Sequence, residues 1–180
     1  MMRANAPADK NSPEYLRAQI NGGRYGLMLV AILTAVNLLM VLLDADRYFL
    51  FSASVPYYLV FLGKGLENGF ADGDWSVSGT LTYTGLAIAL VILAVYVACW
   101  LLSKKRSGWM TAALVLFSVD TVALLGIAFV LYDNPAVKLV DFLLHIWAIV
   151  EMAQAVRASR KLKALAAAEG PRSVCTGPEL

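Results

Sequence analysis

YFLFSASVPYYLVFL, residues 48–62, is the stretch that decides how this chain is threaded. Its apolar character lasts for about 15 residues, fewer than the ~20 a helix needs to cross the hydrocarbon of a bilayer. It also holds Ser52, Ser54 and a central Pro56, and its tyrosines and phenylalanines favour the headgroup level. The expectation is a short re-entrant or interfacial aromatic element, marked by Tyr48, Tyr57 and Tyr58, rather than a fifth span.

Longer apolar runs lie on either side, at 26–43, 80–102, 109–131 and 136–156. With four crossings, Arg3, Lys10, Arg17, Arg24, Lys104, Lys105, Arg106, Arg157, Arg160, Lys161, Lys163 and Arg172 share one side, and only Arg47, Lys64 and Lys138 take the other. Such an excess of basic residues marks the cytoplasmic face. A fifth crossing would carry one of the basic groups outward. The sequence therefore predicts an all-α integral membrane protein, a four-transmembrane-helix bundle with the short element between spans 1 and 2. It is expected to be multi-pass in the cell (inner) membrane with both termini cytoplasmic.

Composition agrees. The 180 residues are 59% hydrophobic and 16% charged, with a mean hydropathy of +0.66, well outside the range of soluble domains. The partners this implies are the lipid bilayer and, through the basic clusters, anionic lipids at the cytoplasmic face. Nucleic acid is a poor fit for a net charge of only +2. Cys99 and Cys175 show no paired or metal-binding spacing, and no cofactor is implied. A mostly polar stretch of 25 residues precedes the first apolar run, so that run reads as a retained span and not as a cleaved signal.

Three regions follow. Residues 1–25 form a cytoplasmic segment with a short amphipathic helix, opened by Ser12-Pro13-Glu14 and closed by Asn21-Gly22-Gly23. Residues 26–158 form the transmembrane domain, in which glycine-rich 63–79 reads as a loop, Lys104-Lys105-Arg106 as a hairpin and Tyr132-Asp133-Asn134-Pro135 as a turn. Residues 159–180 continue the last helix with basic residues to about Ala168 and end in a tail.

Ionisable groups inside a span are costly and need a partner, water or a task. Asn37, Asp120 and His145 each fall about 11 residues, roughly 16 Å, from the cytoplasmic end of their spans. Asp141 lies one helical turn from His145. These four residues form an expected intramembrane polar layer, with Asp120 hydrogen-bonded to His145 and Asn37 bridging. Glu151 and Gln154 form an expected inner vestibule, which the basic hairpin could reach by snorkelling. No catalytic motif and no H-x-x-x-H metal pair is present.

The favoured function is a non-catalytic membrane partner or assembly subunit, working as a homo-oligomer or within a larger membrane complex, with the layer as interhelical glue. The alternative is a small transporter or channel passing protons, ions or a polar solute through the Asp/His layer. The second alternative is an integral membrane enzyme acting on a lipid near the outer aromatic element.

Overall fold

The computed structural model describes residues 9–45, 48–71, 79–131 and 138–168, with backbone only at 68, 70 and 71. Among the described residues there are five α-helices, in the order α1 (Pro13–Leu42), α2 (Ser54–Ala71), α3 (Thr80–Leu102), α4 (Gly108–Leu131) and α5 (Leu139–Ala168). All but α2 are long and apolar enough to cross a membrane. Large side chains face outward along them, with Val130 81% and Val122 71% exposed, as in a bundle whose surroundings are themselves apolar. The expected turn at 132–135 and the final tail lie outside the described residues.

The short helix at the start of the chain is not separate. Ser12 accepts the Tyr15 N–H at 3.2 Å and Pro13 takes the first helical position, but the helix then continues through Asn21-Gly22-Gly23 to Leu42. At 1.5 Å per residue its 30 residues reach about 45 Å, well beyond the hydrocarbon thickness. Tertiary packing outweighs the local glycine signal: a Cβ on Gly23 would collide with Ala155 of α5, so the glycine lets the two longest helices meet. Gln19 and Gln154 join the same pair near their basic ends, at 3.3 Å.

The chain leaves α1 through Asp44, whose φ is 53°, and then turns back into the bundle. Residues 48–53 descend without helix; α2 begins at Ser54 beside the middle of α4 and returns along the first half of α3. The aromatic segment thus enters the bundle as a non-helical, bent arm and leaves it as the first turns of α2. Contrary to the expected loop at 63–79, α2 persists to Ala71. A Cβ on Gly63 would lie 2.9 Å from the Leu81 carbonyl oxygen, and one on Gly85 would lie 2.5 Å from that of Leu59. These glycines serve close helix contact. Glu67 then caps α3 from outside, its carboxylate accepting the N–H groups of Leu81 (2.6 Å) and Thr82 (3.1 Å) and the Thr82 hydroxyl. Lys64 binds the Val41 carbonyl at 2.9 Å and the Asp44 carboxylate, fixing α2 to the exit of α1.

Candidate functional site: an intramembrane socket

An extended segment inside a bilayer has backbone groups that neither water nor its own helix can satisfy, and each one left bare costs several kcal/mol. The polar side chains of α1 and α4 meet that need at residues 49–55. Asn37 accepts the Phe49 N–H at 2.8 Å and donates to the Phe49 carbonyl and the Ser52 hydroxyl, both at 2.7 Å. One turn away, Thr34 accepts the Ala53 N–H at 2.8 Å while donating to the Val30 carbonyl. Asp120 accepts the Ser54 and Val55 N–H groups, one on each oxygen and both at 2.8 Å. A carboxylate at the start of α2 also suits the positive end of its dipole.

Phe51 marks the turning point of the arm. It holds a left-handed φ of 66°, is 8% exposed and packs on Trp147 with ring centres 5.3 Å apart. A non-glycine residue in that conformation costs about 1–2 kcal/mol, which the surrounding bonds and the aromatic contact offset.

His145 closes the socket from α5. Its ring lies parallel to Phe117 at 4.9 Å. Nδ1 is 2.9 Å from the Asp141 carbonyl; a carbonyl only accepts, so Nδ1 carries the hydrogen. Nε2 faces the Ser54 hydroxyl at 3.4 Å and Asp120 Oδ2 at 3.5 Å. The expected Asp120–His145 contact is therefore present but long for a hydrogen bond, because both Asp120 oxygens are already engaged by backbone amides. Asn37 does not bridge the pair, being committed to Phe49 and Ser52.

Asp141 accepts the Tyr48 hydroxyl at 3.1 Å through Oδ2. Its Oδ1, 3.5 Å from His145 Nδ1, and the Tyr96 hydroxyl are the two buried side-chain atoms without a hydrogen bond among the described residues. Tyr48 in turn lies under the Lys138 ammonium, 4.7 Å from the ring centre, and meets Tyr57 edge-on at 4.7 Å. Tyr57 and Tyr58 are also edge-on, at 5.3 Å, and Tyr58 is 2% exposed. The tyrosines of the element are thus packed against the bundle, whereas Phe49 and Phe61, both 45% exposed, face outward.

The inner pair separates. Gln154 is bonded to Gln19, whereas Glu151 lines an apolar groove of about 320 Å³ with Gly22, Tyr25, Gly26, Phe51 and Trp147. No ion pair joins Glu151 to the hairpin among the described residues; Lys104 instead lies over the Trp100 ring at 5.3 Å. No group of three or more His, Cys, Asp or Glu among the described residues is placed to hold a metal ion.

Sequence reasoning missed Thr34, Ser52, Ser54 and Glu67 as members of these networks. Thr34 carried a signal as the second polar residue of an apolar run, three positions before Asn37, and Ser52 and Ser54 as the polar residues of the short aromatic stretch; Glu67 carried none. Fold and socket together define a class, an all-helical membrane protein with four helices able to span and a shorter fifth helix seated among them. No family model, curated protein or solved structure matches the chain.

Proposed function

We propose that this chain is a non-catalytic membrane partner or assembly subunit whose spans form a frame for the re-entrant half-helix. The observation that supports this reading is the commitment of Asn37, Thr34 and Asp120 to five backbone groups of residues 49–55. A solute pathway would leave such groups facing a cavity, but Asn37, Asp120, Asp141 and His145 are all 4% exposed or less. The asymmetry of basic residues favours cytoplasmic termini in the cell (inner) membrane. Action as a homo-oligomer or within a larger complex belongs to the same reading.

The second reading is a small transporter or channel. One feature favours it: Tyr48, Asp141, His145 and Asp120 form a string of titratable groups, with Asp141 Oδ1 still open to a donor. The deciding experiment follows proton and cation flux in liposomes for the parent, Asp120→Asn and His145→Ala. The partner reading expects no flux above empty liposomes and lower thermal stability in both variants. Flux in the parent that either variant abolishes would overturn it. An integral membrane enzyme acting on a lipid would instead require a lipid bound beneath Tyr57 and Tyr58.

A further inference from the structure

Two cavities on the outer face of the α1–α3 seam meet at Trp100. The one at the basic end is polar, about 350 Å³, and lined by Asn21, Arg24, Tyr25, Trp100 and Lys104. The other runs from Trp100 towards the middle of the bundle as an almost wholly apolar groove of about 300 Å³, lined by Met28, Ala31, Ile32, Ala35, Leu93 and Val97.

The cations in the first cavity are held in place. Arg24 donates from Nε to the Ser103 hydroxyl at 3.2 Å, and that hydroxyl donates to the Trp100 carbonyl at 2.7 Å. Neither Arg24 nor Lys104 forms an ion pair with any described residue. The terminal nitrogens of a guanidinium held by Nε remain suited to the paired oxygens of a phosphate. Lys104 is set over Trp100 beside it. Tyr25 and Trp100 lie where amphipathic rings meet the headgroups.

We infer that the α1–α3 seam binds one anionic phospholipid, its phosphate between Arg24 and Lys104 and one acyl chain in the groove past Trp100 to Ala35. Charge complementarity defines the head, and the contiguous apolar groove selects a lipid over a free anion. This inference goes beyond the partner role and stands whether or not that role is correct.

The test is native mass spectrometry of the full chain in detergent, titrated with dioleoylphosphatidylglycerol, with dioleoylphosphatidylcholine and inorganic phosphate as comparison probes. At about fivefold per basic side chain near a surface, the Arg24→Gln/Lys104→Gln pair should weaken phosphatidylglycerol binding by about 25-fold. Lys104→Gln alone should weaken it about fivefold; this side chain is exposed and lies over the Trp100 ring, so folding is spared. Ala35→Phe, which fills the groove, should weaken it as well, while Arg157→Gln/Arg160→Gln should leave it unchanged. Equal losses from the two basic pairs, no effect of Ala35→Phe, or displacement of the lipid by inorganic phosphate would each overturn the site.

Discussion

Asp120 lies across the first turn of α2 so that its carboxylate accepts the Ser54 N–H at 2.8 Å, a helix cap supplied by a residue 66 positions further along the chain. Asp120→Ala leaves the buried Ser54 amide and the part-buried Val55 amide without acceptors, at up to about 1–3 kcal/mol for each. Asp120→Asn keeps one acceptor oxygen and should recover part of that loss. Thermal unfolding in detergent should rank parent, Asn variant and Ala variant in that order; an Ala variant that melts with the parent would remove the socket from the stability of the fold.

Close approach of α2 and α3 depends on the missing side chain at Gly85, where a Cβ would lie 2.5 Å from a backbone oxygen. Gly85→Ala should therefore destabilise by about 1–3 kcal/mol, as overpacked sites do. Gly65→Ala, where a Cβ meets nothing within 4 Å, should be neutral or gain up to about 1 kcal/mol from helix propensity. The same melting series checks both, and equal behaviour of the two variants would refute the close-packed seam.

The α2–α3 junction should loosen in acid. Hydrogen bonding from the Thr82 hydroxyl, and then from the Thr82 and Leu81 amides, holds the Glu67 carboxyl below its ordinary value of 4.5 against a smaller opposing effect of burial. A depressed folded-state value means that the contribution is complete above the unfolded value and is lost as pH falls through the folded one. Amide exchange at Leu81 and Thr82 should accelerate below about pH 4.5 relative to the rest of α3. Glu67→Gln should abolish the differential; its persistence would assign the effect to another group.

Threading can be read by cysteine labelling in a background lacking Cys99 and Cys175. Cysteines at Ser12 and Lys105 should react with a membrane-impermeant maleimide from the cytoplasmic side only, and one at Lys64 from the opposite side only. A cysteine at Ser52, whose parent residue is fully buried within the protein, should react from neither side until the chain is denatured. Labelling of Ser52→Cys from the cytoplasmic side would mean that the arm crosses, making 48–62 a fifth span.

The spans were legible because hydrophobic length and charge placement are properties of side chains alone. That 48–62 is not a span was legible: too few apolar residues, with Ser52, Ser54 and Pro56 among them, argued against a crossing. The continuity of α1 was not, since Gly22-Gly23 costs roughly 1 kcal/mol per glycine locally and the packing of Ala155 on Gly23, which outweighs it, comes from the other end of the chain. Asn37, Asp120, Asp141 and His145 stood out as buried polar groups, and the search for their partners turned to one another. For Asn37 and Asp120 the main partners are peptide groups of 49–55, which every sequence possesses and none advertises.

The distance in sequence between Ser54 and Asp120 has a consequence for biosynthesis. When residues 48–62 first reach the bilayer, Thr34 and Asn37 have been made but α4 has not, so the start of α2 has no carboxylate to receive it. The arm can be seated completely only after another 66 residues have been translated and α4 has joined the bundle. Until then the Ser54 and Val55 amides lack the acceptor that the folded chain gives them.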